Sequence, residues 1–179
     1  MTSRDDRNDA LARSKKRVKT SDFFAVALEV LDSGSRVAFT PRGRSMTPTL
    51  RDARDVVYLT RATNPTRYDV VLYRRDSGQY VLHRIVGVAS DGTFVLCGDG
   101  QTALERGIRR EQILAKVAAF KRGGLDVDCE TSRSFRLYSR FWVASRSLRA
   151  LYRRFRNLAA RIARRCLRHN TKDLFENKI

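Results

Sequence analysis

The feature that most constrains this chain is a change in the period of its apolar residues, from helical to alternating and back. Between Arg36 and about Asp128, apolar residues alternate with polar ones in short β-rich runs: Val37–Thr40, Asp55–Thr60, Asp69–Arg74, Gln79–Val88, Thr93–Cys97 and Ile113–Phe120. A period of two is what a strand with one buried face requires. Turn formers separate the runs at Asn64-Pro65, Asp76-Ser77-Gly78 and Ser90-Asp91-Gly92, and Gly123-Gly124 predicts a hairpin into Leu125–Cys129. Six short strands with tight turns predict an antiparallel, partly closed β-architecture.

The flanks follow the helical period. Thr20-Ser21-Asp22 offers an N-cap, and Phe23, Phe24, Ala27, Leu28 and Leu31 recur at helical spacing until Gly34. A helix this short must pack on the domain behind it. Residues 1–20 are polar and charged and read as a flexible basic tail. From about Phe135 the helical period returns: Leu148, Leu151, Tyr152, Phe155, Leu158, Ala159, Ile162 and Cys166 share one face, and arginines fill the rest. The organisation is therefore a tail (1–20), a β-domain with a leading helix (21–128), a basic amphipathic helical extension (131–169) and a second tail (170–179).

Charge separates body from appendage. The chain of 179 residues carries a formal charge of +18, yet residues 131–172 hold twelve arginines, one lysine and no acidic residue. That segment supplies +13, leaving +5 for everything else. So basic a segment predicts an anionic partner, a membrane surface or nucleic acid. Bulky Leu, Tyr and Phe residues beside the arginines favour a helix lying on a membrane surface, with Trp142 and Tyr152 in the headgroup zone. The competing expectation is that the stripe packs on the β-domain while the arginines are solvated. The N-terminal apolar stretch Phe23–Leu31 is short and holds Glu29, so neither a transmembrane span nor a secretory signal is evident. The expected location is cytoplasmic or peripheral to a membrane. Cys97, Cys129 and Cys166 are odd in number and widely spaced, so they read as packing residues in a reducing compartment rather than as a disulfide or metal framework.

Two boxes carry candidate chemistry. Gly43-Arg44-Ser45-Met46-Thr47-Pro48 places a serine beside a proline-stiffened turn, and Val81-Leu82-His83-Arg84-Ile85-Val86 places a histidine inside a strand. A serine hydroxyl is a weak nucleophile until a neighbouring base accepts its proton. Alternation along the strand sends Val81, His83 and Ile85 to one face and Leu82, Arg84 and Val86 to the other. Taken alone, Ser45 would be a turn serine and His83 a satisfied half-buried histidine.

Together with their surroundings they resemble type I signal peptidases and the related repressor-type serine proteases. Gly43–Leu50 is similar to the nucleophile box of that superfamily, Asp69–Tyr73 to the strand that follows, and Tyr80–Val88 to the strand that supplies the base. Gly98-Asp99-Gly100 resembles its Gly-Asp box and Glu111–Val117 its closing strand, all in order over roughly residues 36–120. The base is lysine in most bacterial members and histidine in the endoplasmic-reticulum-type branch, which this chain resembles more closely. The resemblance implies Ser45 as nucleophile, His83 as general base, Asp99 or Glu105 as the carboxylate that orients the imidazole, and Met46 either near the substrate cleft or in the core. It implies no cofactor and no metal. Gly43 stands where many members carry a hydroxyl residue, so backbone N–H groups near Ser45 are left to hold the oxyanion.

The implied activity is a serine endopeptidase that cuts a precursor or leader peptide. A self-cleaving repressor-like protease is the nearest relative of that reading, but no Ala-Gly pair occurs upstream of Ser45. A non-enzymatic β-domain, tethered to lipid or nucleic acid by its arginine-rich helix, is the reading from a different class.

Overall fold

A computed structural model describes the backbone of residues 20–176 and the side chains of residues 20–161. Both ends of the chain, 1–19 and 177–179, and the side chains of Ile162, Cys166 and His169 therefore lie outside the described residues. Helix α1 (Thr20–Asp32) comes first, followed by β1 (Val37–Phe39), β2 (Val56–Arg61), β3 (Val70–Arg74), β4 (Tyr80–Val88), β5 (Phe94–Cys97), β6 (Glu105–Ile108), β7 (Ile113–Arg122) and β8 (Leu125–Asp128). Helices α2 (Arg133–Ala144) and α3 (Arg146–Glu176) end the chain.

All eight strands form one antiparallel sheet in the order β1-β2-β7-β3-β4-β5-β6, with β8 paired to β7. The path is open: β1 and β6 are its ends. Register shifts interrupt the β2–β7, β3–β7, β4–β5 and β5–β6 ladders. Such bulges increase local twist and coil the sheet. The protein is thus mainly β with helical appendages, as its periodicity predicts.

Alternation sorts the strand residues into two cores. Leu72 and Leu82 join Met46, Leu50, Val57, Leu59, Val117 and Phe120 beneath α1, whose Phe24, Ala27 and Leu31 supply the helix's buried stripe. Val71, Tyr73 and Ile85 join Phe94, Leu96, Ile108 and Ile113 in the second. The leading helix is pinned by aromatic contacts: Phe24 stacks on Tyr80 at 4.8 Å and meets Phe39 edge-on at 5.6 Å.

Two departures from the sequence reading concern short elements. Strand β6 was not foreseen, because Glu105-Arg106-Gly107-Ile108 shows no apolar alternation; it forms by pairing Ile108 with Phe94 and Glu105 with Leu96. The basic extension is helical but in two pieces. Ser145 caps α2, its hydroxyl donating to the carbonyl of Phe141 at 2.8 Å, while its own carbonyl accepts from Arg149 N–H at 3.0 Å to begin α3. A hydroxyl that competes for helical carbonyls is a natural place for a helix to break. The helical backbone of α3 continues past residue 170 to Glu176.

Candidate functional site

Ser45 lies in the loop between β1 and β2, and several interactions hold that loop. The carboxylate of Asp55, fully buried, accepts from Arg51 N–H at 2.9 Å, from Arg51 Nε at 2.9 Å and from Arg122 Nε at 3.0 Å. Arg122 also donates to the carbonyls of Pro48, at 3.0 Å, and Thr49. Burial alone would raise the Asp55 pKa; the Arg51 and Arg122 hydrogen bonds outweigh it, and the group sits below its ordinary range. Gly43 adopts φ +109°, a conformation that side chains rarely take, and its N–H donates to Asp52 Oδ1 at 2.8 Å. A hydroxyl residue at that position would strain this loop, which explains the departure from the resembling pattern.

The Gly98-Asp99-Gly100 turn braces the loop from the other side. Gly100 N–H donates to the Ser45 carbonyl at 2.6 Å. A Cβ on Gly98 would lie 2.6 Å from that carbonyl oxygen and 3.0 Å from His83 Nε2; one on Gly100 would lie 2.5 Å from the Arg44 carbonyl oxygen. Both glycines are required by close approach of backbone, not by turn conformation. The same measurement locates the two candidate residues: the Ser45 backbone and His83 Nε2 border one point in space. The Ser45 hydroxyl itself forms no hydrogen bond with His83 among the described residues.

His83 is buried in the middle of β4. Its Nδ1 lies 3.2 Å from Glu105 Oε1 and 3.3 Å from Tyr73 Oη. Tyr73 donates its one hydroxyl proton to Glu105 Oε2 at 2.6 Å, so it meets Nδ1 as an acceptor. The imidazole proton therefore belongs on Nδ1, and Nε2 carries the lone pair that points toward the Ser45 loop. Arg75 donates from Nε to Glu105 Oε2 at 2.8 Å and from Nη2 to Oε1. The Arg75 hydrogen bonds, followed by those of Tyr73 and the His83 contact, hold the Glu105 carboxyl below its ordinary range against the effect of burial. Burial lowers the His83 pKa from its ordinary 6.5, more than Glu105 raises it. The imidazole is neutral at neutral pH.

Asp99 has a different partner. It sits 4 % exposed against fully buried Arg84, accepting from Nε at 2.9 Å and Nη2 at 2.8 Å. Arg84 Nη1 donates to the Tyr68 carbonyl and to Ser139 Oγ, both at 2.8 Å. Thr49 Oγ1 donates to Asp99 Oδ2 and lies 2.8 Å from the Tyr138 hydroxyl. This buried cluster joins five pieces of chain: the Ser45 loop, the segment before β3 that holds Tyr68, β4, the Gly-Asp-Gly turn and α2. A buried arginine with its donors satisfied by a bidentate carboxylate, a carbonyl and hydroxyls is what desolvation of a guanidinium demands.

Of the residues singled out from the sequence, His83 and Glu105 meet, the Ser45 backbone and His83 both border Gly98, and Asp99 accepts from Arg84 rather than from the imidazole. Met46 is 4 % exposed and packs in the core under α1, while also lining a cavity of about 160 Å3 with Ser45, Leu50 and Tyr80. That cavity shares Pro41, Arg42, Tyr80 and Leu82 with a larger apolar groove of about 470 Å3 below Phe23 and Phe39. A further cavity of about 410 Å3, between Tyr68 and α2, is lined by none of Ser45, His83 and Glu105.

Arg75, Tyr73 and Arg84 were missed as site residues. Tyr73 stands opposite Val81 in the β3–β4 ladder, two residues from His83, and Arg84 is the next residue along; strand neighbours of a candidate base are where a signal existed. The thiols of buried Cys97 and partly buried Cys129 are free, with pKa values raised by burial, that of Cys129 to about 12. Among the described residues no group of three or more His, Cys, Asp or Glu side chains could hold a metal, and no helix is long and apolar enough to cross a membrane. Comparisons with protein-family models, with curated proteins and with solved structures return no match.

Proposed function

We propose that the protein is a serine endopeptidase with a Ser45-His83-Glu105 triad, acting on a peptide or protein precursor. The observation that carries this reading is the hydrogen bonding at His83: with Nδ1–H turned to Glu105 and Tyr73, only Nε2 remains as a base, and it is the nitrogen beside the Ser45 backbone. Low basicity from burial keeps that nitrogen free to accept a proton at neutral pH.

In the proposed mechanism, Ser45 Oγ attacks the scissile carbonyl as its proton moves to His83 Nε2. Glu105 stabilises the imidazolium that forms and keeps the ring oriented. The tetrahedral intermediate collapses when Nε2–H protonates the departing amine, leaving an acyl-enzyme on Ser45. Water, deprotonated by the same nitrogen, attacks the ester and releases the acid. The Ser45 N–H, which donates to no acceptor among the described residues, is free to bind the oxyanion, whereas Gly43 N–H is committed to Asp52. The serine–imidazole hydrogen bond would tighten as substrate closes the site, as is common for catalytic contacts. The apolar groove continuing from Ser45 past Tyr80 to Phe39 suits an extended peptide with apolar side chains.

A mixture of peptides of varied sequence, incubated with the full chain and read by mass spectrometry, tests the reading. Discrete cleavages that vanish in both Ser45→Ala and His83→Ala are expected. Equal cleavage by Ser45→Ala would overturn it.

A further inference from the structure

Helix α3 is mounted with its polar side inward. Along its described side chains the half-buried positions are Arg146, Arg149, Ala150 and Arg153, which share one face. That face meets the β-domain and α2: Arg153 Nη1 donates to the Gly100 carbonyl at 2.9 Å, and Arg149 lies 3.7 Å from the ring centroid of Trp142 in α2. The opposite face carries Leu148, Leu151, Tyr152, Phe155 and Leu158, all exposed, Leu148 to 71 % and Phe155 to 62 %. A helix on a globular domain normally turns its apolar stripe to the core. Here the stripe points away from it, so the expectation that it packs on the β-domain fails. Helix α2 is mounted the ordinary way round, with Phe135, Tyr138, Ser139 and Val143 turned inward, but it too leaves bulky apolar side chains, Leu137 and Phe141, exposed. Trp142 belongs to the inner face, stacked on Tyr138, and is not a headgroup contact.

The flanks of the exposed stripe identify what covers it. Arg154, Arg156 and Arg161 are exposed, and residues 131–161 hold nine arginines with no acidic residue. An apolar strip of Leu, Tyr and Phe bordered by unneutralised guanidinium groups complements an interface that is apolar in depth and anionic at its surface. From this we infer that α2 and α3 seat the protein on the surface of an anionic lipid bilayer, with the outward stripe of α3 sunk among the acyl chains. A nucleic acid would use the arginines but leave the Leu and Phe residues in water, and a second copy of the chain would bring like charges together.

Flotation of the full chain with vesicles tests this. Vesicles of phosphatidylglycerol and phosphatidylcholine are compared with phosphatidylcholine alone, using wild type, the double variant Leu151→Gln/Phe155→Gln and the double variant Arg154→Gln/Arg156→Gln. All four positions are exposed, so thermal melts of the variants should match wild type. Wild type is expected to float with the anionic vesicles only. The apolar variant should lose at least about tenfold in partition coefficient, because two large side chains no longer enter the bilayer. The arginine variant should bind more weakly and with a shallower salt dependence. The inference is overturned if wild type fails to float or if the apolar variant floats as well as wild type. It is equally overturned if that variant abolishes a dimer seen by sedimentation while vesicle binding is unchanged. RNA binding that survives the apolar substitutions, with no vesicle binding by wild type, would replace it with a nucleic-acid surface.

Discussion

Glu105 and Asp99 stand only a few residues apart, yet their replacement should have opposite consequences. Glu105→Gln turns an anion that can stabilise imidazolium into a neutral amide, and kcat is expected to fall by roughly 10⁴-fold, the loss seen when a triad carboxylate becomes an amide. Its melting temperature should change little, since Glu105 is partly exposed and Arg75 can turn to water. Asp99→Asn instead strands the buried Arg84 charge, which should cost about 3–5 kcal/mol of unfolding free energy in a denaturant titration. If Asp99→Asn lost activity while remaining fully stable, the division of labour between the two acids would be wrong. His83→Lys tests the choice of base. Lysine serves as a base only when its surroundings keep it neutral, and a lysine here would face the Glu105 carboxylate and stay charged. Activity at neutral pH is expected to drop by about a hundredfold or more, and wild-type rates would show that Nε2 is not the base. Gly98→Ala belongs to the same scale. The added methyl would meet the Ser45 carbonyl at 2.6 Å, so the loop must shift, at a cost of about 1–3 kcal/mol. Activity should suffer more than stability, because a displacement at Ser45 acts directly on the attacking group.

Among the elements, the least regular ones do the positioning. Strand β6 is four residues long, but its pairing with β5 sets Glu105 within reach of His83. Strand β7 contributes Arg122, which holds the carbonyls of Pro48 and Thr49 in the Ser45 loop, and α2 contributes Tyr138 and Ser139 to the buried Arg84 cluster. Docking of α2 therefore depends on polar contacts as much as on the packing of Phe135 against Phe120. Ser139→Ala removes the acceptor of an Arg84 N–H with little change in buried volume. The expected cost is about 1–3 kcal/mol, and hydrogen exchange in α2 should accelerate ahead of exchange in β3 and β4. Uniform acceleration across sheet and helix would mean that α2 is not a separable unit. The break at Ser145 then separates α2, which turns its aromatic face inward, from α3, which turns an arginine face inward.

For the molecule as a whole, pH should act through the buried imidazole. Because the folded His83 binds its proton more weakly than the unfolded chain does, the unfolded state takes up protons first as pH falls. Stability is complete above about pH 6.5 and declines as pH drops from there toward the lower folded pKa. Urea titrations between pH 8 and 5 should show this decline, and His83→Gln should flatten it; an unchanged slope in the variant would place the effect elsewhere. The acid limb of kcat/KM should titrate below 6.5 for the same reason. Much of this protein is written locally. Period-two runs placed the main strands, and Gly123-Gly124 placed the last hairpin, because side-chain alternation and turn conformation are properties of a few adjacent residues. Ser45 and His83 were legible for a related reason, each being set in a short run of distinctive neighbours. Which of the two candidate carboxylates, Asp99 or Glu105, meets the imidazole was not. Glu105 reaches His83 only through β6, whose residues carry no pattern of their own and become a strand only once β5 offers them an edge. Nor does a helical stripe say which side will face inward. In α3 that choice follows from partners outside the helix: the Gly100 carbonyl, 53 residues back, receives Arg153, and the ring of Trp142 in α2 receives Arg149. Partners brought together across tens of residues depend on the closed fold, and no local run of residues encodes them.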